Sequence, residues 1–246
     1  MNDRRTLIRL QHRLAQRFDV ITEPITVGPL QVMFTRVREP ERVLNDICRR
    51  IDIEERLTGK RVTGDHLGLP YWAELWDSAI GIGQYLAMNT TDRRRADIDA
   101  NPSPADTVLD LGCGMGLAGT VAAVMGADVT FADVETDCLL FSAVNGLRHS
   151  ANVSWKKTDW QRDDLGRRFD LIIGSDVLYD RTQWPHLDAF FRRHLQPNGR
   201  VLLGEPGRQS GDLFIPWILE RNWQFHQYDQ SVPTRATPIR LFELKL

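Results

Sequence analysis

The sequence predicts an α/β protein whose core is a doubly wound, mostly parallel sheet. From about residue 70 onward, apolar strand-like runs alternate with helical segments, the pattern of βαβ units. Within that stretch, Val108-Leu109-Asp110-Leu111 runs directly into Gly112-Cys113-Gly114-Met115-Gly116, and an apolar, Ala-rich segment from Leu117 to Met125 follows. Strand, glycine turn and helix in that order open a nucleotide-type site. Glycine lets the backbone turn tightly and approach a ligand with no Cβ in the way.

Before this core the pattern differs. Leu7, Leu10, Leu14 and Phe18 recur at helical spacing, with Arg4, Arg5, Arg9, Arg13 and Arg17 elsewhere on the cylinder. The expected role is a helix docked on its own domain; a transit peptide or a contact with an anionic surface is the alternative. Residues 20–37 read as short strands around Pro24 and a Gly28-Pro29 turn. Val43, Leu44, Ile47, Ile51 and Ile53 then mark a helix over 40–58. These elements form an α+β extension, residues 1–64, ahead of a ligand-binding domain, residues 65–246. Gly59 to Leu69 is a polar link ending at Pro70.

The core then reads as helix 73–88, a loop around Asn101-Pro102-Ser103-Pro104, strand 107–111 and helix 117–125. Strand 128–132, helix 136–148, a strand near 152–157 and strand 169–174 come next. Helix 185–195, strand 200–204, helix 212–221 and closing strands near 223–228 and 239–245 complete it, the last pair with room for an antiparallel edge. Arg93-Arg94-Arg95 reads as a solvated loop.

Composition limits the function. The chain has 246 residues, 42% hydrophobic and 26% charged, as in a soluble globular protein. A net charge of −2 provides no electrostatic footprint for non-specific nucleic-acid binding. No apolar segment is long enough to span a membrane, and there is no secretory h-region. Cys48, Cys113 and Cys138 form neither an even disulfide set nor a metal-ligand spacing, which points to a reducing compartment, the cytoplasm. The six histidines show no H-x-x-x-H pair, so no zinc site is expected, and His186 and His194 read as surface or rim residues of a helix.

Asp110 discriminates between ligands. Gly114 to Gly119 fits G-x-G-x-x-G, but a loop built for pyrophosphate offers backbone N–H groups and a helix N-terminus. A carboxylate two residues before the first glycine repels that anion and suits a ligand carrying an ammonium and a sulfonium, S-adenosylmethionine. No Gly-Lys-Ser/Thr follows the turn, against a Walker-type site. Asp133 ends the second strand about 20 residues beyond the glycines, where a carboxylate accepts ribose hydroxyls. Cys113, within the turn, reads as a small space-filling residue at the cofactor and not as a nucleophile.

Three further segments narrow the reading: Leu69-Pro70-Tyr71-Trp72-Ala73-Glu74-Leu75-Trp76 before the core, Asp159-Trp160 after the third strand, and Ser175-Asp176-Val177-Leu178-Tyr179 ending the fourth. With the glycine turn they resemble the class I, seven-β-strand methyltransferases, over roughly residues 65–246. The resemblance is specifically to the family 16 protein-lysine methyltransferases. It implies a seven-stranded sheet of order 3-2-1-4-5-7-6 with strand 7 antiparallel. It also implies S-adenosyl-L-methionine as donor, leaving S-adenosyl-L-homocysteine, and a protein lysine as acceptor. Carried over, Trp76 contacts the cofactor from the pre-core helix and Gly112 and Gly114 hold its methionine moiety. Asp133 holds the ribose, Trp160 lies by the adenine and Ser175 lines the floor. Indole faces suit these places because they bury a large flat area at small entropic cost. Trp72 reads equally well as core or rim packing.

Asp176 and Tyr179 carry the reaction. They follow the carboxyl end of a central strand, where open α/β sheets place ligands. Nucleic-acid base N-methyltransferases usually carry Asn/Asp-Pro-Pro-Tyr here; Val177 and Leu178 favour an aliphatic amine. Asp176 is expected to bind and orient that amine, with acceptance of its proton as a further role, and Tyr179 to act as wall and hydrogen-bond partner. The alternatives are a small-amine or metabolite methyltransferase and a non-catalytic cofactor-binding module.

Overall fold

A computed structural model describes residues 2–60, 69–88 and 106–246. The loop around Asn101, the Arg93–Arg95 run, His66 and most of the link before Pro70 lie outside the described residues.

The chain opens with α1 (Asn2–Arg17), then the antiparallel hairpin β1 (Val20–Val27) and β2 (Leu30–Val37), then α2 (Pro40–Thr58). A 3₁₀ turn, Tyr71–Ala73, precedes α3 (Asp77–Met88). The core continues as β3 (Thr107–Leu111), α4 (Leu117–Val124), β4 (Asp128–Asp133), α5 (Thr136–His149), β5 (Val153–Lys157) and β6 (Phe169–Ser175). It closes with α6 (Trp184–His194), β7 (Leu195–Glu205), α7 (Gln209–Leu219), β8 (Gln224–Gln230) and β9 (Ile239–Lys245).

Seven strands form one sheet in the order β5-β4-β3-β6-β7-β9-β8. β9 runs antiparallel to β7 and β8, and the pairings from β5 to β7 are parallel. This is the expected 3-2-1-4-5-7-6 order. Strand direction of build-up reverses between β3 and β6, which makes their carboxyl ends the topological switch point where such sheets bind ligands.

Both faces of the sheet are covered, so the strands alternate between two cores. Val108, Leu171, Ile173 and Leu202 join the cluster formed with α3, α4 and α5. Leu109, Leu111, Ile172 and Leu203 join the one formed with α6 and α7. The same alternation turns Asp110 toward α4.

The N-terminal extension shares the first of these cores. Leu10 and Leu14 of α1 and Val27, Val32, Phe34 and Val37 of the hairpin are buried within it, and Arg17 pairs with Asp137 of α5 at 2.5 Å. α1 is thus docked on its own chain. Buried Asn145 of α5 accepts from Thr35 N (2.7 Å) and donates to Thr35 O (2.9 Å) and Met115 O (3.0 Å), tying β2 to the glycine turn. α2 forms as its periodicity predicts, ending at left-handed Gly59, yet it has no buried side chain.

Three expectations need correction. Trp76 is not on a helix spanning 73–88. Pro70 and the 3₁₀ turn leave Glu74 extended, and α3 starts only at Asp77. β7 begins at Leu195 and not near residue 200, because Pro197-Asn198-Gly199, which resembles a turn, is absorbed by a register shift between Phe169 and Leu171. His194 is no rim residue: it is fully buried, its Nδ1 on Phe190 O and its Nε2 accepting from Leu165 N. Among the described residues no helix is long and apolar enough to cross a membrane.

Because Leu14 is 1% exposed and packs into the shared core, Leu14→Ala should cost about 2–5 kcal/mol. Urea unfolding should show one transition shifted to lower denaturant. A separate early transition with the main one unmoved would show α1 to be an independent appendage.

Candidate active site

The glycine turn after β3 is set by backbone conformation. Gly112, Gly114 and Gly116 have φ of 63°, 53° and 82°, left-handed values that penalise any side chain. Gly112 and Cys113 N–H groups both donate to Ala132 O of β4. Gly119 and Gly116 are required by packing as well: a Cβ would come 2.5 Å from the Phe131 ring at Gly119 and 2.6 Å from Ser142 Cβ at Gly116.

Two buried carboxyls hold this turn. Asp133, at the end of β4, accepts from Gly114 N on Oδ2 (3.0 Å) and from Glu135 N on Oδ1 (3.0 Å). Asp110 accepts from Gly119 N on Oδ2 at 2.9 Å, while its Oδ1 is buried and has no hydrogen-bond partner among the described residues. Burial pushes the Asp110 carboxyl up to about 8, against the opposing Gly119 hydrogen bond and with Asp133 adding repulsion. Asp133 is also raised, again by burial. Asp110 therefore lies at the sheet–helix interface as a mostly protonated group at neutral pH.

The structure links the sequence-predicted residues around the switch point. A Cβ on Gly112 would stand 3.4 Å from the Trp160 ring and 3.0 Å from Val177, the residue after Asp176. Trp160 is half-buried, its indole N–H donating to Gln183 Oε1 at 3.1 Å. Ser175 Oγ is buried and, like Asp110 Oδ1, has no hydrogen-bond partner among the described residues. Asp176 sits at φ 55°, an unusual value for a residue with a side chain, its N–H donating to Gly204 O at 2.9 Å. Trp76 is half-buried and its indole N–H donates to Tyr71 O at 2.9 Å. Tyr179 is 57% exposed beside this end of the sheet. Trp72 packs between Phe18 and Phe141, with ring centroids 5.5 and 5.6 Å away.

Sequence reasoning missed three participants. Arg208, after β7, donates from Nε to Asp176 Oδ1 (2.9 Å) and from Nη2 to Oδ2 (2.6 Å), with its guanidinium 5.8 Å from the Trp76 ring centroid. The available signal was its place: Glu205-Pro206-Gly207-Arg208 follows the strand next to β6, at the same carboxyl edge. Gln183 holds Trp160 and carries no sequence signal. Cys138 of α5 lies with Cys113 and Asp133, ligating atoms all within 4.8 Å. Sequence spacing suggested no metal set, yet these three come together. Burial pushes the Cys113 thiol up to about 11 and Cys138 well upward, so both are S–H donors, to Gly114 O and Glu135 O respectively.

The site fits an adenosyl sulfonium donor. Ser175 Oγ is buried without a partner among the described residues, and glycine leaves room where a Cβ at Gly112 would crowd Val177 and Trp160. Comparison with known proteins agrees. The lysine methyltransferase family model matches residues 61–217, well over half of the chain. The chain belongs to the lysine methyltransferase family. It is similar to the EEF1A lysine methyltransferase 3 of Mus musculus, 24% identical over 89% of this chain and 90% of that protein. It is 31% identical to the protein N-lysine methyltransferase METTL21A of Danio rerio over 58% of this chain and 64% of that one. It is 32% identical to the electron transfer flavoprotein beta subunit lysine methyltransferase of Xenopus laevis, over 57% of this chain and 54% of that protein. The chain thus spans only about half to two thirds of the latter two. The fold is that of the glycopeptide N-methyltransferase MtfA solved with S-adenosyl-L-methionine: TM-score 0.53, 16% identity, 68% of this chain and 94% of that one. This chain is an S-adenosylmethionine-dependent methyltransferase.

The Asp110 proton has a stability consequence. The unfolded carboxyl ionises near 3.8 and the folded one near 8, so across that window only the folded state holds the proton. Stability of the ligand-free protein should fall as pH rises from about 4 to about 8, and the loss is complete above 8. Asp110→Asn should flatten that slope and stabilise the protein at pH 8 by on the order of a few kcal/mol. Urea unfolding of both proteins across this range checks it; parallel slopes would contradict it.

Proposed function

We propose that this methyltransferase acts on the side-chain amine of a lysine within a protein, with Asp176 and Tyr179 at the acceptor. The observation that carries the reading is the position of Asp176. It is fixed at the carboxyl end of β6, and its neighbour Val177 lies against Gly112 of the donor turn. An acceptor held by Asp176 is therefore one residue removed from the donor's seat.

The donor supplies an already activated methyl on a sulfonium, so the chain's own task is chiefly positioning. Gly112 and Gly114 admit the donor to the backbone, and Asp133 offers carboxylate oxygens to its ribose. Trp160 and Trp76 supply flat apolar faces, Trp160 for the adenine. Ser175 Oγ, buried without a partner among the described residues, supplies hydrogen-bonding capacity that a polar guest would use.

The acceptor amine, with a reference pKa of about 10.4, must lose its proton before it attacks. Asp176 orients it and Tyr179 walls it. The names of the relatives, lysine methyltransferases of EEF1A and of the electron transfer flavoprotein beta subunit, support a protein acceptor. The three free cysteines support action in the reducing cytoplasm.

Donor carrying a labelled methyl group, incubated with cell lysate and the enzyme, should place label on a discrete protein band, at lysine after hydrolysis. Asp176→Asn should lower that transfer at least about a hundredfold while S-adenosylhomocysteine affinity stays within a few-fold. Label confined to small molecules, or normal turnover by the variant, would overturn the reading.

A further inference from the structure

Arg208 and Asp176 form a forked ion pair at the acceptor position, and this arrangement is built in from below. Both oxygens of Asp176 are engaged, at 2.9 and 2.6 Å, and its side chain is only 6% exposed. The loop carrying Arg208 is fixed by Glu205, which is 1% exposed. Glu205 accepts from Gly207 N (2.8 Å) and from Arg208 N, and is itself gripped by Arg240 of β9, Nε to Oε2 at 2.7 Å. Arg240 also donates to Arg208 O at 3.1 Å. The guanidinium lies over Trp76 at the wall of a hollow of about 310 Å³ that Pro206, Gly207, Arg235, Asp77 and Ser78 complete. A planar fork on a carboxylate, with an aromatic face beneath, is a place for arginine and not for lysine.

The pair resolves a conflict in the acceptor chemistry. A bare carboxylate beside a lysine amine stabilises the ammonium, which has no lone pair with which to attack. Neutralised by Arg208, Asp176 can still accept an N–H on its remaining lone pairs without presenting net negative charge. We propose that Arg208 is a positioning residue that sets the acceptor pocket's charge, so that the lysine amine binds in its neutral form, its proton having left to solvent. This rests on the reading of Asp176 as the acceptor residue.

The other charges lining the hollow, Arg235 and Asp77, are one of each sign. Glu205 and Asp212 of α7 are both paired with Arg240, and Arg235 is held on Pro206 O and Thr237 Oγ1. Asp77, at the start of α3, accepts from Thr234 Oγ1, and Tyr179 stands exposed on the β6 side. Proximity to Asp176 and Glu205 keeps the Arg208 guanidinium charged, its pKa raised first by the Asp176 hydrogen bond.

The test uses a bisubstrate probe, an adenosyl amino acid with nitrogen in place of sulfur, joined by a short methylene bridge to a lysine-type secondary amine. Calorimetric titration would follow its affinity from about pH 7 to about pH 9.5, with S-adenosylhomocysteine as reference. The wild-type protein should bind the probe at least about tenfold more tightly at the upper pH, one pKa unit's worth of discrimination. Arg208→Gln should bind it about tenfold more tightly than wild type near pH 7 and lose the rise, because the lone Asp176 carboxylate now welcomes the ammonium. The double variant, Asp176→Asn with Arg208→Gln, should regain the rise. S-adenosylhomocysteine affinity within about threefold of wild type shows the donor site intact in each. A flat wild-type profile, or an Arg208→Gln profile merely weakened in parallel, overturns the inference. If Asp176→Asn alone changes neither probe affinity nor labelled turnover, it is the acceptor reading that falls.

Discussion

Everything at the carboxyl edge of this sheet depends on one tight turn, Gly112 to Gly116, held between buried carboxyls. Three glycines at positive φ let the chain reverse from β3 into α4, and Asp133 on Gly114 N and Asp110 on Gly119 N fix it at either side. Phe131 and Ser142 close the space behind it so tightly that Gly116 and Gly119 have no room for a methyl group. The N-terminal hairpin is tied to the same turn, since Asn145 bonds at once to Met115 O and to both backbone groups of Thr35. Disturbing the turn thus disturbs the donor seat, the α4 interface and the hairpin together.

The two halves of the site use charge differently. On the donor side, burial holds acidic groups against backbone N–H donors and raises their affinity for protons, so negative charge appears there most readily beside a cation. At Asp176, the proposed acceptor residue, the carboxylate is already paired with the Arg208 guanidinium. β6 and β3 are adjacent, so these two environments lie next to one another, bridged by the contact of Val177 with Gly112. That juxtaposition suits a reaction whose electrophile is cationic and whose nucleophile must be neutral.

Much of this was legible in the sequence because it is local. Apolar strand runs, the glycine turn, the helix over 40–58 and the Gly28-Pro29 turn are each written in a few consecutive residues, and each element formed. So did the placement of Asp133, which depends only on the length of one βα unit. The illegible parts are long-range. Arg208 meets Asp176 across 32 positions, Gln183 meets Trp160 across 23, and nothing in either local stretch names its partner. Asp110 was legible as a carboxylate at the turn, but not as one facing inward, which follows from the pairing of β3 with its neighbours and from α4 lying over it. His194 resembled a surface residue because its helix is polar on average, while its own position falls on the face packed against the sheet. α2 shows the converse: the periodicity is real, and the burial it normally signals is absent.

The most direct measurement of the central claim is a crystal structure with S-adenosylhomocysteine bound. The account predicts the nucleoside at the carboxyl ends of β3 and β4. Its ribose hydroxyls should lie within hydrogen-bond distance of Asp133, its adenine against Trp160 and its amino-acid end over Gly112 and Gly114. A nucleoside seated elsewhere, or one whose ribose hydroxyls lie beyond hydrogen-bond distance of Asp133 with its base away from Trp160, would contradict it.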